Sequence, residues 1–243
     1  NITGFLIITL YEETIGHLYG DLFIFMAFRS IIISKATKIN LDLNNIVVTY
    51  DSEPYHINLD EISTIIIDDP RCLVSLRLLS ELCIKGINVI FTDASHKPVG
   101  SLTTLYNNAR APKKHKEQIL WDNNLKGYLW TTIVKEKINN QRLVEYGDVS
   151  NREGLASRTY FKELFGSTFK RFNEDIINFC LNYTYQVLRS KISQEIISCG
   201  YIPTLGICHK SEYNQFNLAD DFIEVFRPII DYYIFLLLDN TKE

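Results

Sequence analysis

From Phe28 to about Leu102, short runs of β-branched residues alternate with turn formers. The segments RSIIIS, KINLDL, NIVVTY, YHINL and STIII are rich in Ile and Val and are separated by polar turn residues, which predicts short strands. Asn44-Asn45, between KINLDL and IVVTY, reads as a hairpin tip because asparagine tolerates the positive φ of a tight turn. Within this region the spacing of Leu73, Leu76, Leu79 and Cys83 predicts one helix over CLVSLRLLSELCIKG, with Gly86 as its C-cap. NVIFTD reads as a buried strand beyond it, and KPVGSL as a shorter one alongside.

After Pro112 the period changes. Residues 113–143, 151–165, 173–199 and 217–238 carry apolar side chains three and four apart, with breaks at Gly147, Gly166, Gly200, Pro203 and Gly206. Pro228 falls inside the last pattern, where a missing N–H predicts a kink or a restart. The pattern predicts an α+β chain, with a small β-rich N-terminal domain over 26–102 followed by an all-α C-terminal domain over 103–243.

Composition supports a real core, since 46% of the 243 residues are apolar and 12% aromatic. Five cysteines without a C-x-x-C pair fit neither a disulfide framework nor a zinc site, and suit a reducing cytoplasm. The net charge of −4 conceals a basic stretch: Lys97 to Arg142 holds nine Lys and Arg against three Asp and Glu. Such a stretch suits either a solvated helix face or a phosphate backbone. Residues 1–25 differ from the rest, with no Lys or Arg before Arg29 and the chain's one methionine at Met26. They lack the basic start of a signal peptide, and the runs Phe5 to Leu10 and Leu22 to Phe25 are too short for a membrane span. The expectation is a start at Met26 with 1–25 as upstream translation, the alternative being an extension that adds a strand.

Two stretches carry candidate chemistry. In DVSNREG, Ser150 and Glu153 fit a helix-capping box, yet Gly154 costs about 1 kcal/mol in a first helical turn and suggests that something approaches the backbone there. In GICHKSEYNQFNLADDFIEVFRPIID, His209 lies in a glycine-flanked loop, and Asp221 and Glu224 are three apart on one helix face. An imidazole with carboxylates suits Mn2+ or Mg2+ better than zinc. The plain readings are a hydrogen-bonded histidine, acids near a helix start, and Glu224 paired with Arg227. Tyr183, Tyr185, Tyr232 and Tyr233 read as packing groups. No Walker loop, dinucleotide fingerprint or G-x-S-x-G elbow occurs, so any phosphate chemistry would be metal-borne.

DVSNREG, YFKELFG, GICH and QFNLADDFIEVFRPIID, in this order and spacing, resemble the CRISPR-associated spacer-acquisition integrases, in particular the form that accompanies type II systems. The resemblance extends through DNNLKGYLWTTIVKEKI and SIIISKATKINLDLNNIVV, so it runs from Met26 onward. It implies a β-rich homodimerisation domain and a helical catalytic domain. It also implies metal ligands at Glu153, His209 and Glu224 with Asp221 as a neighbouring acid, and a Mn2+- or Mg2+-dependent attack of a DNA 3′-hydroxyl on a phosphodiester. The implied partners are double-stranded DNA, both the captured fragment and the repeat array, and a small ferredoxin-like companion protein; no membrane is involved. Arg110, Lys113, Lys114, Lys116 and Lys126 are the candidate contacts to the DNA backbone.

The sequence departs from the family in two places. Only Arg142 to Gly147 separate the long helix from DVSNREG, and the chain stops at LLLDNTKE, which is expected to reflect C-terminal truncation. Two alternatives to an integrase therefore stand beside it: a stand-alone metal-dependent nuclease on branched DNA, and a degenerate non-catalytic fragment.

Overall fold

In the computed structural model of the chain, residues 5–8, 29–104, 108–144, 160–171 and 173–239 are described, and for 5–8, 142–144 and 239 only the backbone is. The chain divides into two compact units, 1–106 and 107–243. Sheets fill the first and helices the second, the α+β class that the periodicities predict.

The first unit holds two sheets. One has the order β1-β2-β6-β8-β9, and the other β5-β4-β3-β7. β2 (Arg29–Ile33), β6 (Ile62–Ile67) and β8 (Asn88–Thr92) run parallel, flanked antiparallel by β1 (Phe5–Ile8) and β9 (Pro98–Leu102). Of the segment ahead of Met26, β1 is the described part, paired through Phe5↔Ile33 to Ile8↔Ser30. Ile65, Ile66 and Ile67 are all buried, so both faces of β6 are covered, which is why its sequence is an unbroken apolar run. The second sheet is an antiparallel meander of β3 (Lys38–Asp42), β4 (Asn45–Tyr50) and β5 (Glu53–Asn58). Its first turn corrects the hairpin reading. Leu43, exposed, takes the positive φ of 51°, while Asn44 uses its Nδ2 to hold Asn58 Oδ1 at 3.2 Å and Asp60 Oδ2 at 2.8 Å.

The single predicted helix here is shorter than its pattern. Leu73–Val74 form β7, parallel to β3, and Ser75 then caps α1 (Leu76–Ile84) by accepting the Leu78 N–H. Gly86 (φ 67°) ends it as expected, with Gly86 N–H on Cys83 O and Ile87 N–H on Leu82 O, and buried Ile87 and Leu82 share the core with Ile31, Ile39 and Val89.

In the second unit the predicted helix over 113–143 is two helices, α2 (Ala111–Ile119) and α3 (Asn123–Val144). Apolar spacing continues through Leu120 and Trp121, but Asp122 Oδ1 accepts the Leu125 N–H at 2.8 Å and starts a new helix. Residues 160–165 form a helix, α4, followed by α5 (Ile176–Ser198) and α6 (Asn217–Asp239). α6 packs against α3 and α5. It does not restart at Pro228. The carbonyl deprived of its N–H there is that of Glu224; the next one, Val225 O, receives Asn140 Nδ2 from α3 at 2.7 Å, and Tyr160 OH donates to Pro228 O at 3.2 Å. Tyr185 is buried as a packing group, whereas Tyr232 and Tyr233 are part exposed, with the Tyr232 ring stacked on Phe235 and tilted against Tyr233. All five cysteines are free, and among the described residues no helix is long and apolar enough to cross a membrane.

Candidate active site around His209

The loop ahead of α6 is held by side chains that leave few of its polar groups unpaired. Gln118, buried on α2, donates to Ile202 O and Leu205 O at 3.0 Å each and accepts the Ile202 N–H at 2.8 Å. Asn217, buried at the start of α6, donates to Thr204 O and Ser211 O and accepts the Ser211 N–H, so one amide ties both ends of the loop. Gly206 is required by close approach: a Cβ there would meet His209 O at 2.2 Å and Asp221 Oδ2 at 3.0 Å.

Asp221, fully buried at 0% side-chain exposure, is the centre of this construction. Its carboxylate accepts three successive backbone N–H groups, from Ile207 (2.5 Å), Cys208 (3.2 Å) and His209 (3.0 Å), and lies 2.7 Å from His209 Nδ1. A buried carboxylate that accepts from donors on every other side assigns the imidazole proton to Nδ1. Nε2 is then the ring nitrogen left to face outward, and the His209 ring is fixed in one orientation with its side chain 40% exposed. Trp130 meets that ring edge-on at a centroid distance of 6.2 Å.

Glu224 lies one turn further along α6. Lys137 Nζ from α3 is 2.8 Å from Oε2, and Arg227 Nε is 3.0 Å from Oε1. The lysine contact is a good hydrogen bond; the arginine contact has the distance but not the alignment of one. The plain reading of Glu224 as a partner of Arg227 is therefore present, with a second and better-made cation contact that spacing did not reveal. Arg227 in turn stacks over Tyr185 at 5.0 Å. Asp220 takes no part in this group, since Arg189 Nε (2.7 Å) and Asn214 Nδ2 (2.7 Å) hold it. Asp231, buried, accepts from Tyr185 OH, and burial pushes its carboxyl up to about 6 against the pull of Arg227 and Arg171.

The structure thus brings His209 and Asp221 into contact and sets Glu224 on the same helix face. Glu153 lies outside the described residues, and among the described residues no three His, Cys, Asp or Glu side chains group as a metal site would. Of the basic candidates, Lys126 lines a cleft of about 350 Å3 whose wall includes His209 and Lys210. Arg110 and Lys116 are exposed, and Lys113 faces Glu117 at 3.7 Å. Lys114 is committed elsewhere, donating to Cys199 O at 2.6 Å and lying 5.0 Å over Tyr201. Sequence reasoning missed Gln118, Asn217 and Lys137. Asn217 at a helix start was the one visible signal, while Gln118 and Lys137 lie more than 80 residues from the groups they hold.

The two-part α+β architecture is that of solved DNA-integration and CRISPR-associated proteins. A casposase bound to integration product shares it with a TM-score of 0.67, at 18% identity over 88% of this chain and 74% of that one. A chain of a Cas6-RT-Cas1–Cas2 complex shares it with a TM-score of 0.63, at 20% identity over 87% of this chain and 28% of that much longer one. Sequence then gives the family. The profile described as CRISPR associated protein Cas1 matches residues 31–147 and 144–242. The CRISPR-associated endonuclease Cas1 of Neisseria meningitidis serogroup C (strain 8013) is 34% identical over 237 residues, 89% of this chain and 78% of the relative. The chain belongs to the Cas1 family.

Proposed function

We propose that this chain is a metal-dependent DNA endonuclease and integrase of CRISPR adaptation, which inserts short DNA fragments into a repeat array. A DNA 3′-hydroxyl forms the new phosphodiester as the old P–O3′ bond at the repeat edge breaks, with no covalent enzyme intermediate. The observation that carries this reading is the contact of loop residue His209 with Asp221, on the helix face that also bears Glu224, in a chain of the Cas1 family.

His209 Nε2 and Glu224, with Glu153, would hold Mn2+ or Mg2+, which when bound supplies Lewis-acid polarisation of a phosphoryl oxygen. The donor set fits, because oxygen ligands with one imidazole suit these ions. Asp221 keeps His209 in one tautomer and one orientation. The loop amides that secure Asp221 keep this pair from rearranging as substrate arrives. Lys126, Arg110, Lys113 and Lys116 hold the DNA backbone without reading its sequence. A small ferredoxin-like companion, supported by the resemblance to a chain in a Cas6-RT-Cas1–Cas2 complex, and a homodimer, implied by the family resemblance alone, complete the reading.

The test mixes purified protein, its companion, Mn2+, a short duplex with free 3′-hydroxyls and a repeat-bearing plasmid. Branched integration products at the repeat edge are expected, and their loss in His209→Ala and Glu224→Gln. Normal folding and DNA binding without products, or full activity in His209→Ala, would refute the proposal. Companion-independent cleavage of branched DNA would replace it with the nuclease. Glu153→Gln keeps a capping side chain and removes the charge, so unchanged activity there would make Glu153 a cap.

A further inference from the structure

Glu224 meets two cations at once. One carboxylate faces both the Lys137 ammonium and the Arg227 guanidinium, and the side-chain exposures of Glu224 and Lys137 are 13% and 22%. Arg227 is shared, since it also pulls on the buried carboxyl of Asp231, whereas the described contact of Lys137 is to Glu224.

The two cations are not held alike. Arg227 sits on Glu224's own helix, stacked on Tyr185. Lys137 reaches over from α3 on a flexible stem, and its ammonium makes one described contact, the 2.8 Å bond to Glu224 Oε2. That bond is not what joins the helices. Asn140, one turn along α3, already donates to Val225 O at 2.7 Å, and Ile133, one turn back on the same face, is buried in the core shared with Leu218 and Ala219 of α6. An ammonium aimed at a carboxylate, in a helix pair clasped without it, acts on the carboxylate.

Resting on the metal-dependent reading above, we infer that Lys137 is a positioning residue that stands in for the divalent ion. It holds the Glu224 carboxylate in place while no ion is bound, would compete with a divalent ion for that carboxylate, and once displaced would be free to meet a phosphate of the DNA. The fold thereby ties metal loading to the release of a cation for substrate.

The test is direct Mn2+ binding, by electron paramagnetic resonance of the free ion and by calorimetry, on the full chain without DNA. Lys137→Met keeps the apolar stem and removes the competitor, so Mn2+ should bind tighter by about tenfold, the scale of one charge-assisted hydrogen bond no longer opposing it. Lys137→Arg keeps the charge and should bind Mn2+ no tighter than the parent. DNA affinity measured with Mn2+ present should fall in Lys137→Met and be retained in Lys137→Arg. A purely structural lysine predicts the opposite sign: a lower melting temperature with weaker or unchanged Mn2+ binding, and that result overturns the inference. If Lys137→Met does not fold, Lys137→Gln is read the same way. Parent protein and His209→Ala that both fail to bind Mn2+ would remove the metal reading itself; parent binding that Lys137→Met leaves unchanged removes only the role of Lys137.

Discussion

Asp221→Asn probes the construction at its centre. The carboxylate is surrounded by donors, namely the N–H groups of Ile207, Cys208 and His209 and the His209 Nδ1–H. An asparagine of the same shape offers one oxygen, and its NH2 must point at donors whichever way the amide turns. At least two buried donors then lose their acceptor at about 1–3 kcal/mol each. No longer burying a full charge returns part of that, so the expected net loss is about 3 kcal/mol. In a chain of this size, roughly 2–4 °C accompanies each kcal/mol, giving a fall in melting temperature of about 6–12 °C by calorimetry. His209 also loses the partner that fixes its tautomer, and Mn2+ affinity should weaken by about 10–100-fold. A variant that melts within about 2 °C of the parent and binds Mn2+ equally well would show that Asp221 holds neither the loop nor the imidazole.

Gly206→Ala should destabilise by about 2–3 kcal/mol, since its Cβ would lie 2.2 Å from His209 O, whereas Gly127→Ala on α3, with nothing within 4 Å, should stabilise by up to about 1 kcal/mol; chemical denaturation of both variants checks the contrast. Asp231 titrates near 6 in the folded chain against 3.8 unfolded, so the native state binds the extra proton between these values. Stability from this group is full below about pH 4 and is lost as pH rises through about 6, by about 3 kcal/mol. Asp231→Asn keeps an acceptor for Tyr185 OH, and its stability curve should lack that decline; parallel curves for parent and variant would rule the effect out. Burial pushes the Cys72 thiol up to about 11 and raises that of Cys180, while Cys199 and Cys208 are exposed, so timed alkylation read by mass spectrometry should mark Cys199 and Cys208 first.

Strands were legible where local composition decides them and pairings were not. The Ile and Val runs gave β2, β3, β4, β6 and β8, but an unbroken run such as Ile65 to Ile67 does not say which strands lie beside it or in which direction. Periodicity erred where apolar spacing carried on past a polar interruption. Asp122 splits α2 from α3, and Ser75 separates β7 from α1, each by capping within an otherwise continuous pattern. Pro228 did not bring the restart that was one of its two expected outcomes. A proline predicts a broken helix only when the neighbouring carbonyls go without donors, and Asn140, 85 residues away, supplies one beside it.

The site divides along the same line. Spacing put Asp221 and Glu224 on one face, yet made them look interchangeable, a pair of acids three apart. Their different roles come from depth and reach. Asp221 has the shorter side chain, sits under the loop, and can meet three N–H groups only because Gly206 lets the chain turn tightly against it. Glu224, one turn on and one methylene longer, escapes that loop and meets cations from two helices instead. An acid consumed by backbone donors has little left for a ligand, while an acid held by displaceable ammonium has a carboxylate oxygen to give. The inner acid therefore orients the histidine and the outer one is the candidate ligand, a distinction set by the fold of residues 206–209 and by a lysine 87 positions away.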